Sequence, residues 1–582
     1  MNIQHFLSKR LHQALILMKM ESFLNMIQIK TSTRTQFGDY QINGLILISN
    51  KLHISVKTLS INLIQTCNMY DIAEKIVFQN PGFINIFLKK KWIENQINSI
   101  NSLSNFGVID TSPRTVIVDY SGPNIAKEMH VGHLRSTVIG DSIARILSFL
   151  GHKIIRANHI GDWGTQFGML IAYIKKNKPH NLLLNKVQQF SILENYYQLA
   201  KKEYDSNPSF AELSRNYVVK LQKGDKYCHH IWNHLVNISI SNNQKLYNRL
   251  NISLTVKDVM GESIYQSMLP DIVQDLKNKK IAVISNGATV VFLHNSHINK
   301  HNPNFGVIIQ KKDGGYLYST TDIACIKYRC EVLKADRIIY YTDSRQQQHL
   351  IQAWEIAKKA GYIKKTILLE HHICGMLLEK TGKPFKTRSG NTLKLTTLLD
   401  EALKRAQCMI HQKNPTLKID QINKLAHIIS IGAIKYSELS KNRTTNYIFN
   451  WDNMLNFEGN TAPYIQYAYT RIFSIFKRFD QSDIQKKQYS IQLDNKEETV
   501  LATCLLQFHE IIIIVSKKGT PHILCSYLYK LAGLFSLFYE KCPVLTVNDT
   551  HTKYSRLHLI LLTGRILKCG LNLLGIETIK YM

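Results

Sequence analysis

The sequence predicts an α/β protein: a parallel-sheet domain with a small mixed α/β domain before it and an all-α domain after it. Three observations carry this. Residues 113–400 alternate apolar, strand-like runs with amphipathic helical stretches, the pattern of a sheet whose strands are joined by crossover helices. Residues 1–107 mix amphipathic helices with a Pro81-Gly82 turn that opens a strand-like run ending at Leu88. Residues 451–582 are helical nearly throughout. There Leu524, Leu528, Leu531, Phe535 and Phe538 share one face of a helix with Thr520 as N-cap and Pro521 in its first turn, and Pro543 follows its end.

The boundaries expected from these patterns are an N-terminal domain over 1–107, a core domain over 108–400, a helical connector over 401–450 and the helical domain over 451–582. Within the core domain, residues from about 174 to 255 are polar, helical and rich in Lys, Asn and Tyr, which reads as an insertion. The chain has 582 residues, enough for several domains, and 45% of them are apolar. With 73 Lys and Arg against 42 Asp and Glu, the formal charge is +31. Such an excess favours a polyanionic partner through counterion release. Lys, Ile and Asn are abundant together, however, so AT-rich coding offers a second source for the same excess.

The ten cysteines form no C-x-x-C pair; Cys325 and Cys330 are spaced wrongly for a zinc knuckle, and Cys228-His229-His230 has no matching second pair. The expectation is free thiols, no structural metal and a reducing, cytoplasmic setting. Lys9, Arg10, Lys19 and Glu21 interrupt the first apolar stretch, which argues against a signal peptide. The longest apolar run, 501–515, carries Gln507, His509 and Glu510, so no membrane span is expected.

The chemistry is concentrated in one strand–loop–helix. Residues 115–118 are a short apolar run suited to a central parallel strand, and Asp119, Tyr120 and Ser121 follow at its carboxyl end, where open α/β sheets bind ligands. Gly122-Pro123 turns the chain. A helix follows with Leu134, Val138, Ile139, Ile143, Ile146, Leu147 and Leu150 on its buried side, Gly151 closes it, and residues 153–157 form the next strand. His130 and His133 therefore stand at a helix N-terminus, beside free N–H groups and the positive dipole end, a ready anion site. Gly132 between them leaves room for a ribose or a flat base to approach the backbone. Taken without its context, H-x-G-H fits two surface histidines equally well; after a strand and at a helix start it becomes specific.

These residues resemble the class I aminoacyl-tRNA synthetases, whose HIGH signature is matched by His130-Val131-Gly132-His133. The surroundings resemble the arginyl family: the block 119–136, Asn158-His-Ile-Gly-Asp-Trp-Gly-Thr-Gln-Phe-Gly168, Tyr318-Ser-Thr-Thr-Asp-Ile-Ala324, Asp343-Ser-Arg-Gln-Gln-Gln-His349, Ser440-Lys-Asn-Arg-Thr-Thr445 and the stretch 457–471. The likeness covers nearly the whole chain. It implies a Rossmann-type catalytic domain, an additional tRNA-binding domain at the N-terminus and an α-helical anticodon-binding domain at the C-terminus. The implied partners are L-arginine, ATP with Mg²⁺, and tRNA(Arg), and the implied state is a monomer.

The resemblance also implies roles for single residues. Asp119, Asp322 and Tyr318 would meet the substrate guanidinium, a planar cation that calls for carboxylates in its plane. Asn124, Gln346 and His130 would hold its amino and carboxylate end. ATP would lie across Pro123, Asn124, His130, Gly132 and His133, with Gly161 and Asp162 at its ribose or base. The second class I signature, KMSKS, is replaced by a degenerate basic loop, residues 375–388, in which Lys383 and Lys386 keep positive charge for the leaving diphosphate; Lys127 is implied to take over the missing lysine's role. Gln36, Phe37 and Tyr40 would touch the body of the tRNA, and Tyr464, Tyr467 and Arg471 would stack on its unpaired anticodon bases. Other assignments stay open on the residues alone: Asp322 as a helix N-cap, Lys383 and Lys386 as a solvated loop, the tyrosines as packing. Rival readings of the whole chain are a nucleotidylyltransferase and a non-catalytic RNA-binding relative.

Overall fold

The computed structural model describes residues 2–32, 34–110, 112–177, 189–293, 306–378, 382–383, 393–477 and 489–581. Lys386 lies outside them. The chain divides into two compact units. One comprises 110–455 with 573–576; the other joins residues 1–109 to 456–572 and 577–582.

The first unit is built on a five-stranded, wholly parallel sheet. In chain order its strands are Thr115–Asp119, Lys153–Ile160, Val259–Gly261, Arg337–Tyr340 and Leu368–His371. In space they run fifth, fourth, first, second, third. The order reverses beside Thr115–Asp119, so the crevice at the carboxyl ends of this strand and Arg337–Tyr340 is the switch point where such sheets bind ligands. These strands are apolar because helices cover both faces; Val116, Ile117 and Val118 are fully buried. The signature helix, Val131–Phe149, returns the chain from the first strand to the second.

Between the second and third strands lie the helices Thr165–Asn177, Gln189–Ser206, Pro208–Gln222 and Lys226–Arg249. They enclose a core of their own around Phe167, Leu170, Leu193, Phe210, Leu221 and Leu235. Before the fourth strand comes a three-stranded antiparallel sheet, Ala282–Ser285, Ala288–Phe292 and Gly306–Gln310. The helices Leu395–Lys413 and Ile419–Leu439 follow the fifth strand.

In the second unit a four-stranded antiparallel sheet runs Gln28–Thr31, Tyr40–Asn43, Phe83–Leu88, Ala73–Gln79. The helices Ile3–Leu17, Leu45–Leu52, Val56–Cys67 and Lys90–Asn101 accompany this sheet, and Ala462–Phe476, Lys496–Leu506, Phe508–Lys518, His522–Lys541 and Thr550–Leu573 follow from the other end of the chain. Both ends of the chain thus share one unit. Asn98 exchanges two hydrogen bonds with the backbone of Ile491 (2.9 and 2.7 Å). The Arg565 guanidinium donates to the carbonyls of Asn101 and Leu103 at 2.7 Å. The helix after Pro521 starts at His522, and Thr520 does not cap it; the Thr520 Oγ1 is buried without a partner. One stretch, Lys496–Lys518, is long and apolar enough to cross a membrane by length and composition, and 67% of its apolar window is buried inside the fold. All ten cysteines are free.

Each unit contains a buried ion pair that joins distant segments. Arg556 Nε lies 2.7 Å from Glu498 Oε1, with side chains 8% and 2% exposed. Arg329 Nη2 lies 2.6 Å from Asp119 Oδ2, with side chains 0% and 8% exposed. Removing one partner of such a pair leaves an uncompensated buried charge. Arg556→Ala is therefore expected to destabilise the second unit by about 3–5 kcal/mol, and Asp119→Ala the first by a similar amount. Urea unfolding of the two variants checks this. A change under about 1 kcal/mol would mean that water reaches the stranded charge.

Candidate active site

The site forms where the first strand ends. Ser121 (φ +74°) and Gly122 (φ +53°) take left-handed backbone, which bends the chain out of the sheet. The bend is tied to the second strand, because Gly122 N donates to Asn158 Oδ1 at 3.2 Å and Tyr120 N to the Ala157 carbonyl at 3.1 Å. Ser121 and Tyr247 join their hydroxyls at 2.8 Å, and the Thr137 hydroxyl reaches Ser121 at 2.9 Å. Pro123 is buried, and the exposed Asn124 pairs with Gly161 in an isolated bridge.

At the helix start, His130 is the N-cap. Its Nδ1 accepts from Gly132 N at 3.1 Å, while His133 Nδ1 accepts from His130 N at 3.2 Å. The two imidazoles therefore cap the helix reciprocally, 4.0 Å apart between centroids. With both Nδ1 atoms accepting, the neutral rings carry their protons on Nε2. Burial pushes His133 down to about 4, with His130 adding, and burial together with Lys127 and Arg345 lowers His130. Both are neutral donors near pH 7. A Cβ on Gly132 would stand 2.8 Å from the His130 ring, so glycine is required for this cap as well as for access.

Acids occupy the other side. Glu262 follows the third strand, and its Oε1 lies 3.9 Å from where a Cβ on Gly161 would be; Asn124 Oδ1 lies 3.7 Å from the same point. The Tyr318 hydroxyl is 3.9 Å from the corresponding point on Gly164, and its ring is 64% exposed. Burial raises Glu262 to about 7; the charges of Asp322 and Asp162 add to this and His159 opposes it. Partial burial and then the Glu262 charge raise Tyr318. Asp322 lies a full turn inside the helix Tyr318–Glu331, so it is not an N-cap; it bonds His349, which it raises. Asp343 caps the turn Ser344–Gln346 by accepting from Arg345 N at 2.8 Å, which presents the exposed Gln346 and sets Arg345 toward His130.

Three sequence expectations meet a different placement. Asp119 is 6% exposed and spends its carboxylate on Arg329, whereas Glu262 lies near enough to Asp322 to be raised by its charge. Asp162 is turned inward, accepting from Ser263 N at 2.9 Å and the Ser263 hydroxyl at 2.6 Å; it shapes the turn that holds Glu262. Tyr40 is fully buried, its hydroxyl donating to Glu510 at 2.7 Å, and offers nothing to a partner at the surface. Burial raises Glu510 to about 7. The neighbouring Gln36 is exposed and Phe37 half-buried. Tyr464 packs on Tyr529 at 5.3 Å, whereas Tyr467 is 45% exposed and Arg471 is exposed over it and over Tyr539, at 5.9 and 5.6 Å. Lys127 and Lys383 are exposed. Sequence reasoning missed Glu262 and Arg345. The usable signal for Glu262 was its place directly after the short run Val259-Met260-Gly261, at a strand's carboxyl end.

Comparison with known proteins agrees with this geometry. Residues 96–451 match the family model "tRNA synthetases class I (R), catalytic domain", residues 465–582 match "DALR anticodon binding domain", and residues 1–88 match "Arginyl tRNA synthetase N terminal domain". The arginine–tRNA ligase of Blochmanniella pennsylvanica is 68% identical over 582 residues, all of both chains. That of Sodalis glossinidius is 55% identical over the full length of both. Among solved structures, the arginyl-tRNA synthetase of Plasmodium falciparum superposes with a TM-score of 0.84 at 33% identity, over 100% of this chain and 98% of that one. With the parallel-sheet crevice, the capped signature helix and the facing acids in place, the chain belongs to the arginyl-tRNA synthetase family.

Proposed function

We propose that the crevice joins arginine to ATP between its acidic and its imidazole-flanked sides. The chain is an aminoacyl-tRNA ligase: it activates L-arginine with ATP, releases diphosphate and transfers the arginyl group to tRNA(Arg). The observation that carries the residue assignment is the gathering of Glu262 and Asn124 at Gly161 with Tyr318 at Gly164, near enough to Asp322 for its charge to raise Glu262, on the same sheet whose first strand leads to the reciprocally capped His130 and His133.

In this reading Glu262 and Asp322 receive the guanidinium in the plane of its donors, and the Tyr318 hydroxyl adds a further contact. Asn124 and Gln346 hold the amino and carboxylate groups. The triphosphate meets the first turn of the signature helix, where the positive dipole end attracts it and the Nε2–H of both imidazoles donates to its oxygens. The first-turn N–H groups expected to be free are already taken, Val131 N by the Leu393 carbonyl at 3.0 Å, Gly132 N by His130 Nδ1 at 3.1 Å and His133 N by the His130 carbonyl at 2.9 Å. The arginine carboxylate then attacks the α-phosphate in line with the leaving diphosphate, whose charge falls to Lys127, Arg345 and the basic loop containing Lys383 and Lys386. Transfer follows by attack of the terminal 2′-hydroxyl of the tRNA on the adenylate's carbonyl carbon, which forms the ester, breaks the acyl–phosphate bond and releases AMP. Positioning and charge stabilisation do this work, without a covalent enzyme intermediate. Mg²⁺ arrives with the nucleotide as its counterion. Tyr467 and Arg471 face the anticodon, and the active form is a cytoplasmic monomer with no membrane partner.

ATP–diphosphate exchange with each amino acid, with and without total tRNA, tests the assignment. Exchange specific for arginine is expected. His133→Ala is expected to lower it by about 10²–10³-fold, the loss typical of a preorganised donor to developing charge; exchange that persists unchanged removes the histidine from the site. The pH dependence follows from Glu262. Its carboxyl is protonated in the free site below about 7, and a cation binds the ionised form. The KM for arginine should therefore rise about tenfold per unit as pH falls below 7. Glu262→Gln should raise KM at neutral pH and flatten that slope. A Glu262→Gln profile still steep between pH 6 and 7 would assign the titration to another group.

A further inference from the structure

The segment between the left-handed bend and the signature helix is gripped by the insertion. Ile125 and Ala126 are fully buried in one core with Leu193, Leu235 and Ile238 of the inserted helices. Ala126 has φ +63°, a region that favours glycine, so an alanine there stays only where its surroundings hold it. The hold is specific. Ala126 N donates to Ser239 Oγ at 3.1 Å, and the Ser239 hydroxyl donates in turn to the Leu235 carbonyl at 2.9 Å.

The next two residues also meet the insertion. Lys127 Nζ stands 4.7 Å from the centroid of the Tyr197 ring. Glu128 binds Lys394 Nζ at 2.8 Å, and Lys394 binds Glu194 at 2.6 Å, one turn before Tyr197 on the same helix. Glu128 also accepts from the Thr396 hydroxyl at 2.5 Å.

We propose that Tyr197 and Ser239 of the inserted helices are positioning residues for Lys127: Ser239 clamps the strained turn at Ala126, and the Tyr197 ring steers the ammonium beside His130. This rests on the reading of Lys127 as a cation serving the triphosphate. The insertion thereby acts on adenylate formation without touching a substrate, and its effect falls on the chemical step rather than on arginine binding.

The test uses the full chain in ATP–diphosphate exchange with arginine and tRNA, with thermal unfolding measured in parallel. Ser239→Ala is expected to lower kcat about tenfold while the KM for arginine stays within about twofold, the split expected when an interaction made only in the transition state is lost. Ala126→Gly on that background should restore most of the rate, because glycine takes positive φ without a clamp. Tyr197→Leu should cost about threefold and Tyr197→Phe nearly nothing, since the ring face alone holds the cation. In Lys127→Ala neither change should lower the rate further. Full activity in Ser239→Ala and Tyr197→Leu, while Lys127→Ala is impaired, would overturn the inference and leave the Lys127 reading standing. So would losses that add to that of Lys127→Ala, or that glycine at 126 does not relieve. Unimpaired exchange in Lys127→Ala would end the Lys127 reading and the inference together.

Discussion

The site is organised around an arginine of the chain's own. Arg329 is fully buried, and its guanidinium joins Asp119 at the end of the first strand to the helix Tyr318–Glu331. Its cation lies 5.1 Å from the centre of the Tyr340 ring, on the neighbouring strand. Its Nε and Nη1 make no hydrogen bond. An ion pair so enclosed is a poor source of stability, since desolvation offsets most of its attraction. It acts instead as a constraint. With Asp119 answered by Arg329, the helix cannot shift away from the strand ends without exposing a bare charge on each side. The start of that helix, with Tyr318 in its first turn and Asp322 in the next, therefore stays at the switch point of the sheet.

This constraint also separates two kinds of carboxylate. Asp119 has a resident cation and is closed to a ligand. Glu262 makes no ion pair among the described residues: burial raises it to about 7, the nearby His159 charge opposes this, and the Asp322 and Asp162 charges add to it. A half-protonated acid beside a second acid is an unfavourable arrangement, which a planar cation bound as proposed would relieve. On the opposite side the polarity is arranged otherwise. His130 and His133 are lowered and neutral, so they supply directed N–H donors, while Lys127 and Arg345 supply the positive charge. Donors held by a helix cap need little reorganisation when phosphate charge moves, which is the condition for electrostatic stabilisation of a transition state.

Much of this was legible in the residues. The strand–turn–helix from Thr115 to Phe149 follows from an apolar run, a Gly-Pro turn and a 3.6-residue repeat, each a local signal. The pairing of His130 with His133 across a helix start is likewise local. What the sequence hid are choices between equivalent partners far apart in the chain. Asp119 and Glu262 are both acids at strand ends, and only the tertiary position of Arg329, 210 residues from Asp119 along the chain, decides which of them is free. Tyr40 carries no local mark that its hydroxyl is taken by Glu510, because that contact spans 470 residues. Thr520 looked like a cap because Thr is favoured there; in the fold Pro521 takes the N-cap position and the Thr520 Oγ1 is buried without a partner.

The N-terminal part of the signature helix has a second anchor besides its cap. One turn after His130, Arg135 is buried, donating to the carbonyls of Thr445 and Asn442 at 2.8 Å each, with its guanidinium over the Tyr447 ring. Tyr447–Ile448 pairs in parallel with Leu377–Leu378, the short strand from which the basic loop departs, and Arg443 donates to the Ile373 carbonyl at 3.0 Å. Gly375 lies so close to Thr445 that a Cβ there would meet its carbonyl oxygen at 2.6 Å. A cation at the fifth residue of the helix, one turn past the cap, thus ties the helix to the segment beside the strand Leu377–Leu378. In the proposed reading, the helix whose first turn meets the triphosphate is also the one tied to the strand before Lys383. Sharing the leaving group's charge between Lys127 and the basic loop would require both to be registered to the same body. Arg135 at one turn and the capped His130 at the other provide that common reference.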